Sequence, residues 1–225
     1  LYLNLIPDEL KASAAKRLAD DVKKFGHLTT GFLGASLLCP VLSENGYQDV
    51  AYMLLNRKDY PSWLYPVTMG ATTIWERWDG IKPDSTFQDE GMNSFNHYAY
   101  GAIGEWLYNY VTGIRIDEQK PGYKHIIFAP QPGGGLYYAS ASTESLYGKV
   151  ALSWKNTNGQ MTVEVTVPAN TTATVKLPGT TPGKLLIDGK PAGKNKDISN
   201  MHSEGQMVVL NTGSGKYTFT YPVKD

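Results

Sequence analysis

The feature that most constrains this chain is a change of hydrophobic period near Gly113. Up to that point apolar residues recur every three or four positions, and beyond it they alternate with polar ones. The first spacing buries one stripe of a helix and the second one face of a strand. Two periods in two separate halves predict an α + β multidomain protein, with a helical part over 1–113 and an antiparallel β-sandwich over 114–225.

In the first half, Pro7, Asp8 and Glu9 make a favourable first helical turn, with fixed φ and negative charge near the unpaired N–H groups. Leu10, Ala14, Leu18, Val22 and Phe25 then form a stripe, Lys23 and Lys24 complement the helix dipole, and Gly26 stops the helix. Residues 31–46 read as a second, apolar helix in which Pro40 predicts a kink or a break. A third spans 46–56. Pro61, Pro66, Gly70, Gly80, Pro83 and Gly91 punctuate 60–91, which should be short helix, extended chain and loop. Residues 92–113 return to a helical pattern. Phe95, Ala99, Ala102, Ile103, Trp106 and Tyr110 share a face there, with Asn93 or Ser94 as cap and Gly113 as the end.

The second half is plainer. Met161, Val163, Val165 and Val167 point one way along "QMTVEVTVP", and Thr162, Glu164 and Thr166 the other. Val150, Leu152 and Trp154 alternate likewise, as do Ala173, Val175 and Leu177. Turn signals such as "NTNGQ", "PGTTPG", "IDGK" and "GSG" divide these runs, the pattern of a sandwich with one wet and one dry face per sheet.

Several classes of function drop out. Lys and Arg (21) balance Asp and Glu (21), so the chain lacks the cationic excess of a nucleic-acid binder. No apolar run approaches the roughly 20 residues of a membrane span. The four histidines form no HxxxH or HExxH pair and Cys39 is the only cysteine, so neither a zinc site nor an internal disulfide is expected. Cys39, within "GASLLCPVL", reads as a small core residue. "PGGG" at 132–135 lacks a following helix and reads as a turn, so no phosphate-binding loop or other cofactor motif is present.

Attention falls on "TTIWERWDG" at 72–80. Two readings compete there. Glu76 and Arg77 could be a structural ion pair fenced by Trp75 and Trp78. Alternatively, the indoles could face a sugar ring while the carboxylate does acid–base work, for which glycoside cleavage uses two carboxyl groups. His97 likewise reads as a structural histidine or as a ligand contact. Asp79, Asp84, Asp89 and Glu90 stand beside loop glycines and read as turn residues, and Glu105 as a polar-face residue.

"YPSWLYPVTMGATTIWERWDG" followed by "GMNSFNHYAYGAIGEWLY" closely resembles the bacterial α-L-rhamnosidase family, glycoside hydrolase family 78. The likeness runs from about Leu28 to Leu107, and the β region, through "GKVALSW", is similar to that family's C-terminal sandwich domain. The resemblance implies an (α/α)6 toroid, of which residues 1–113 would be the last helices. It implies inverting removal of terminal α-L-rhamnose from an oligosaccharide or glycoside. By the same resemblance, Glu76 is the general base, His97 contacts the sugar in the −1 subsite, and Trp75 and Trp78 flank the base as substrate-binding residues. The family's general acid belongs to an upstream motif resembling "RDERLGW", which has no counterpart here.

A twelve-helix toroid with helices of about 12 residues and loops of about 5 needs on the order of 200 residues, more than the 113 before the sandwich. "LYLNLIPDEL" also lacks a Met, a charged leader and a cleavage site, so we expect a fragment that holds the base without the acid and is inactive alone. Its partners would be a rhamnose-containing glycan and either the missing N-terminal part of the enzyme or a homo-oligomer mate, with no nucleic acid, membrane, cofactor or metal. The alternative is a non-catalytic carbohydrate-binding or structural fragment. No compartment can be read from a chain without its targeting region.

Overall fold

Helices and a long irregular segment make up the first of two units, Leu1–Trp106, in a computed structural model that describes residues 1–91 and 93–223. Helix α1 (Asp8–Phe25) starts directly after Pro7 with Asp8 and Glu9 in its first turn, and ends where the Gly26 N–H donates to Val22 O at 2.8 Å. Its buried line is Ala15, Ala19 and Val22, not the full stripe expected. Leu10 and Phe25 are exposed. The small alanines allow close approach to the neighbouring helices, while Ala14 and Leu18 line an apolar hollow of about 320 Å³ with Leu1, Ile6, Leu37 and Val41.

Helix α2 (Phe32–Glu44) runs through Pro40 without a break. Proline removes only its own N–H, and every residue from Leu38 to Ser43 is buried, so packing holds the turn together. Cys39 is fully buried on this helix, and desolvation pushes its thiol up to about 12. Helix α3 (Gln48–Asn56) buries Val50, Ala51, Tyr52 and Leu54. Tyr52 meets Trp106 edge-on at 5.2 Å, and the Trp106 indole N–H donates to Ser43 Oγ at 2.8 Å. After the short helix α4 (Leu64–Thr68), the described residues up to 98 are non-helical, as the prolines and glycines suggest.

The helix expected over 92–113 is corrected. Its first residue, Met92, lies outside the described residues, and 93–98 is not helical. A 3₁₀ turn begins at Ala99 and ends at Ala102, followed by α5 (Ile103–Trp106). Asn93 and Ser94 cap no helix, because their polar groups bond to residues 76 and 80 instead. Tertiary hydrogen bonds outweigh helix propensity here.

The second unit, Leu107–Asp225, opens with a π-helical turn, Leu107–Thr112. It closes at Gly113, whose N–H donates to Tyr108 O at 2.9 Å, five residues back. Gly113 has φ +97°, and a Cβ there would stand 2.3 Å from Pro130 N, so only glycine fits.

Eleven strands follow among the described residues: β1 (Ile114–Ile116), β2 (His125–Phe128), β3 (Tyr138–Ser145), β4 (Gly148–Thr157), β5 (Gln160–Val167), β6 (Thr172–Pro178), β7 (Leu186–Ile187), β8 (Lys190–Pro191), β9 (Ile198–Glu204), β10 (Met207–Thr212) and β11 (Gly215–Pro222). They form two sheets, in the orders β1-β2-β6-β10-β9 and β3-β4-β5-β11-β7-β8. Burial alternates along β4, β5, β6 and β11, so each sheet turns one dry face to the core. Trp154, Phe128, Phe219 and Leu177 are among the fully buried side chains, and the Trp154 indole donates to Val111 O at 2.7 Å. Pairing is antiparallel except between β2 and β6, which run parallel with His125 opposite Thr172. The chain crosses to the other sheet for β3–β5 before returning, the kind of crossover a parallel pair requires.

Candidate active site

Two non-hairpin segments of the first unit lie side by side. The Glu76 N–H donates to Ser94 O and the His97 N–H to Ile74 O, each at 2.8 Å. The partner number falls as the residue number rises, so the segments run antiparallel and bring residues 74–76 alongside 94–97. The Thr73 hydroxyl donates to Phe95 O and extends the contact. Glu76 and His97, 21 positions apart in the chain, therefore belong to neighbouring strips of backbone.

Glu76 is half-buried, and its Oε2 accepts the Ser94 N–H at 3.0 Å. A carboxylate can accept at about four lone-pair sites, so capacity remains for water. Arg77 is directed to another carboxylate: its guanidinium reaches Asp89 at 4.0 Å. Asp84 and Asp89 otherwise act in turns, Asp84 taking the Thr86 N–H at 3.0 Å and Asp89 the Gly91 N–H at 2.8 Å.

The two tryptophans differ. Trp75 is 5% exposed and packs edge-on against Phe95 at 5.2 Å. Trp78 is half-buried and stacks on Tyr100, with centroids 3.6 Å apart and planes at 25°. Its edge meets Trp63 at 5.6 Å, and the Trp63 indole donates to Tyr100 O at 2.9 Å. Tyr100 in turn meets Phe32 at 4.9 Å, and Phe32 stacks on His97 at 4.9 Å and 20°. A continuous aromatic array thus runs from Trp63 through Trp78, Tyr100 and Phe32 to the His97 imidazole.

Gly80 holds the strips together from behind. A Cβ there would lie 3.1–3.2 Å from Asn93 Oδ1, Phe95 Cε1 and Trp75 Cε3. Its carbonyl accepts from Asn93 Nδ2 at 2.8 Å and from the Gln88 N–H at 3.2 Å. Among the described residues, no group of three or more His, Cys, Asp or Glu is placed to hold a metal ion.

The structure thus pairs Glu76 with Ser94 and joins His97 and Trp78 through Phe32, Tyr100 and Trp63; Ser94, Phe32, Tyr100 and Trp63 were not singled out as site residues from the sequence. No local signal could have revealed a strip here, because "NSFNHY" spaces Phe95 and Tyr98 three residues apart, as a helix would. Nothing local marks Phe32, which comes from the start of α2.

Comparison with known proteins gives consistent results. Residues 1–111 match the model of the bacterial alpha-L-rhamnosidase 6 hairpin glycosidase domain, and residues 113–190 that of the bacterial alpha-L-rhamnosidase C-terminal domain. An alpha-L-rhamnosidase of Streptomyces avermitilis is 42% identical over 221 residues, which is 98% of this chain and 20% of that protein. One of Formosa agariphila is 41% identical over 220 residues, covering 97% of this chain and 24% of that protein. Among solved structures, Streptomyces avermitilis alpha-L-rhamnosidase complexed with L-rhamnose superposes with a TM-score of 0.88 at 42% identity, over 96% of this chain and 20% of that one. The alpha-L-rhamnosidase from Dictyoglumus thermophilum superposes with a TM-score of 0.85 at 33% identity, over 98% and 24%. The chain therefore spans between a fifth and a quarter of the length of these relatives.

Proposed function

We propose, for a chain that belongs to the bacterial α-L-rhamnosidase family, that it carries the general-base half of an inverting α-L-rhamnosidase site. Glu76, ionised, takes a proton from a water molecule as the water oxygen bonds to the anomeric carbon of a terminal α-L-rhamnosyl group. The bond from that carbon to the glycosidic oxygen breaks, and the departing oxygen takes a proton from a general acid contributed by residues beyond this chain. The products are the free sugar with inverted anomeric configuration and an alcohol. In this geometry acid and base stand about 6.5–9.5 Å apart with the water between base and carbon.

The observation that carries this reading is the pairing of residues 74–76 with 94–97. It fixes the Glu76 carboxylate through the Ser94 N–H and sets the His97 strip beside it. His97 hydrogen-bonds a hydroxyl of the sugar. Trp78, backed by Tyr100, offers an apolar ring to the C–H face of the pyranose. Trp75 is too buried to stack on a ligand, so its contribution is to seat the strip that bears Glu76.

The test is Glu76→Gln in an enzyme that includes this segment at the length of its relatives. Turnover of an aryl α-L-rhamnoside should fall by about 10²–10⁴-fold, the usual weight of one acid–base group, while affinity for rhamnose is kept. Unchanged turnover would remove Glu76 from the reaction. The 225-residue chain itself should release no sugar, having no general acid for the leaving oxygen.

A further inference from the structure

Besides the adjacent Tyr98, whose ring lies 5.8 Å away with planes at 9°, two groups hold the His97 imidazole. Its Nδ1 accepts the Ala99 N–H at 3.3 Å, and its plane lies nearly parallel to the Phe32 ring at 4.9 Å. A ring nitrogen that accepts carries a lone pair, so in the neutral imidazole the proton resides on Nε2. Phe32 is itself braced, because Tyr100 meets it edge-on and Tyr100 is pinned by Trp78 and by the Trp63 indole N–H. At 38% exposure, Phe32 leaves part of its ring uncovered next to the imidazole.

We propose that Phe32 is a positioning residue for the sugar site, holding His97 in the Nε2–H form so that it presents a donor to an oxygen acceptor of the bound deoxyhexose. This rests on the reading of His97 as a sugar contact and goes further by fixing the sense of the hydrogen bond. An acceptor on the ligand is satisfied at this point, whereas a group with only a donor to offer leaves two donors facing each other. The stack sets the ring plane and the Ala99 N–H sets the tautomer, so neither depends on the sugar being present. A side chain from α2 thereby helps to orient a ligand contact 65 positions further along the chain.

The experiment is long-range proton–nitrogen NMR, with and without L-rhamnose, of a histidine-¹⁵N-labelled enzyme that includes this segment at the length of its relatives, with the His97 signals assigned by their loss in His97→Gln. In its neutral form, wild-type His97 should show a protonated Nε2 and an unprotonated Nδ1. Phe32→Leu keeps an apolar group but no ring plane. It should admit the other tautomer and weaken rhamnose binding by about 2–10-fold, the span of one neutral hydrogen bond. Phe32→Tyr should restore both readouts. An Nδ1–H tautomer in the wild type overturns the proposal without need of any variant. So does a Phe32→Leu protein whose His97 signals and rhamnose affinity match the wild type. If the tautomer and its dependence on Phe32 are as stated but rhamnose does not move the His97 signals, the sugar-contact reading fails and the ligand part of the proposal with it.

Discussion

Glu76 and Ser94 are bonded to each other twice. The Glu76 amide donates to the Ser94 carbonyl at 2.8 Å, and the Ser94 amide donates to Glu76 Oε2 at 3.0 Å. The same partner therefore fixes the backbone and the side chain of one residue. A carboxylate restrained in this way has lost rotamer freedom before any ligand arrives, which is the kind of preorganisation that acid–base chemistry exploits. Because the second bond comes from backbone, most substitutions at residue 94 would leave it in place.

That asymmetry makes a prediction. Ser94→Ala removes only the hydroxyl, which accepts the Asn96 N–H at 3.2 Å, and should cost no more than about 1 kcal/mol. Ser94→Pro deletes the N–H that serves the carboxylate and should cost about 1.5–3 kcal/mol, the range for hydrogen bonds to charged groups. Urea unfolding of the two variants, followed by tryptophan fluorescence, checks the order. Equal destabilisation would show that the backbone bond contributes nothing.

Gly80 makes a second. A methyl group at this position meets Asn93, Phe95 and Trp75 at 3.1–3.2 Å, and two of the three atoms belong to aromatic rings already in contact with one another. Neither ring can move without disturbing the other. Gly80→Ala should therefore destabilise the first unit by about 1–3 kcal/mol, as overpacking does, and perturb the near-ultraviolet circular dichroism of Trp75. An unchanged urea midpoint would mean that the cradle yields.

The candidate site was legible in part. Glu76, Trp75 and Trp78 stand in one unusual run of nine residues, and the family resemblance singled out His97. The clamp at Ser94 was not legible, because it arises from pairing between segments 18 residues apart and no local period encodes that pairing. Read locally, "NSFNHY" continues into a helical pattern, and only the structure shows that its polar groups are taken up by residues 76 and 80. The fold divides the same way. Strands β4, β5 and β6 were readable because each buries one whole face. The parallel pairing of β2 with β6 was not, since strand order depends on crossovers and not on pattern. On α1, Leu10 and Phe25 of the expected stripe are exposed, and the buried line is Val22 with Ala15 and Ala19, two alanines small enough for helices to approach.

Gly113 lies where the hydrophobic period changes, and its replacement should be severe. Two independent penalties coincide: φ of +97°, and a Cβ 2.3–2.5 Å from the backbone of Ala129 and Pro130. Backbone cannot swing aside as a side-chain tip can. Gly113→Ala should cost more than about 3 kcal/mol, beyond the 1–3 kcal/mol of a strained conformation alone. Differential scanning calorimetry would register it as a lowered transition for the second unit. A loss under 1 kcal/mol would refute the close approach.

His125, on β2, should give the second unit an acid-sensitive stability. Its Nδ1 and Nε2 lie 2.7 and 3.0 Å from the hydroxyls of Thr172 and Thr174 on the parallel neighbour β6. Burial lowers its pKa below the ordinary 6.5, an effect that Asp117 opposes and Lys120 reinforces. A depressed imidazole pKa means that the unfolded chain takes up the proton first. Its contribution to stability is then fully present above pH 6.5 and is lost as the pH falls through that value and through the lower folded one. Most carboxylates titrate nearer to pH 4, so the region just below 6.5 reports on histidines. The urea midpoint of the second unit should fall between pH 7 and pH 5 in the wild type. In His125→Gln, which keeps a hydrogen-bonding group opposite the threonines without a titrating proton, it should fall less. Parallel declines in the two proteins would assign the acid sensitivity to other groups.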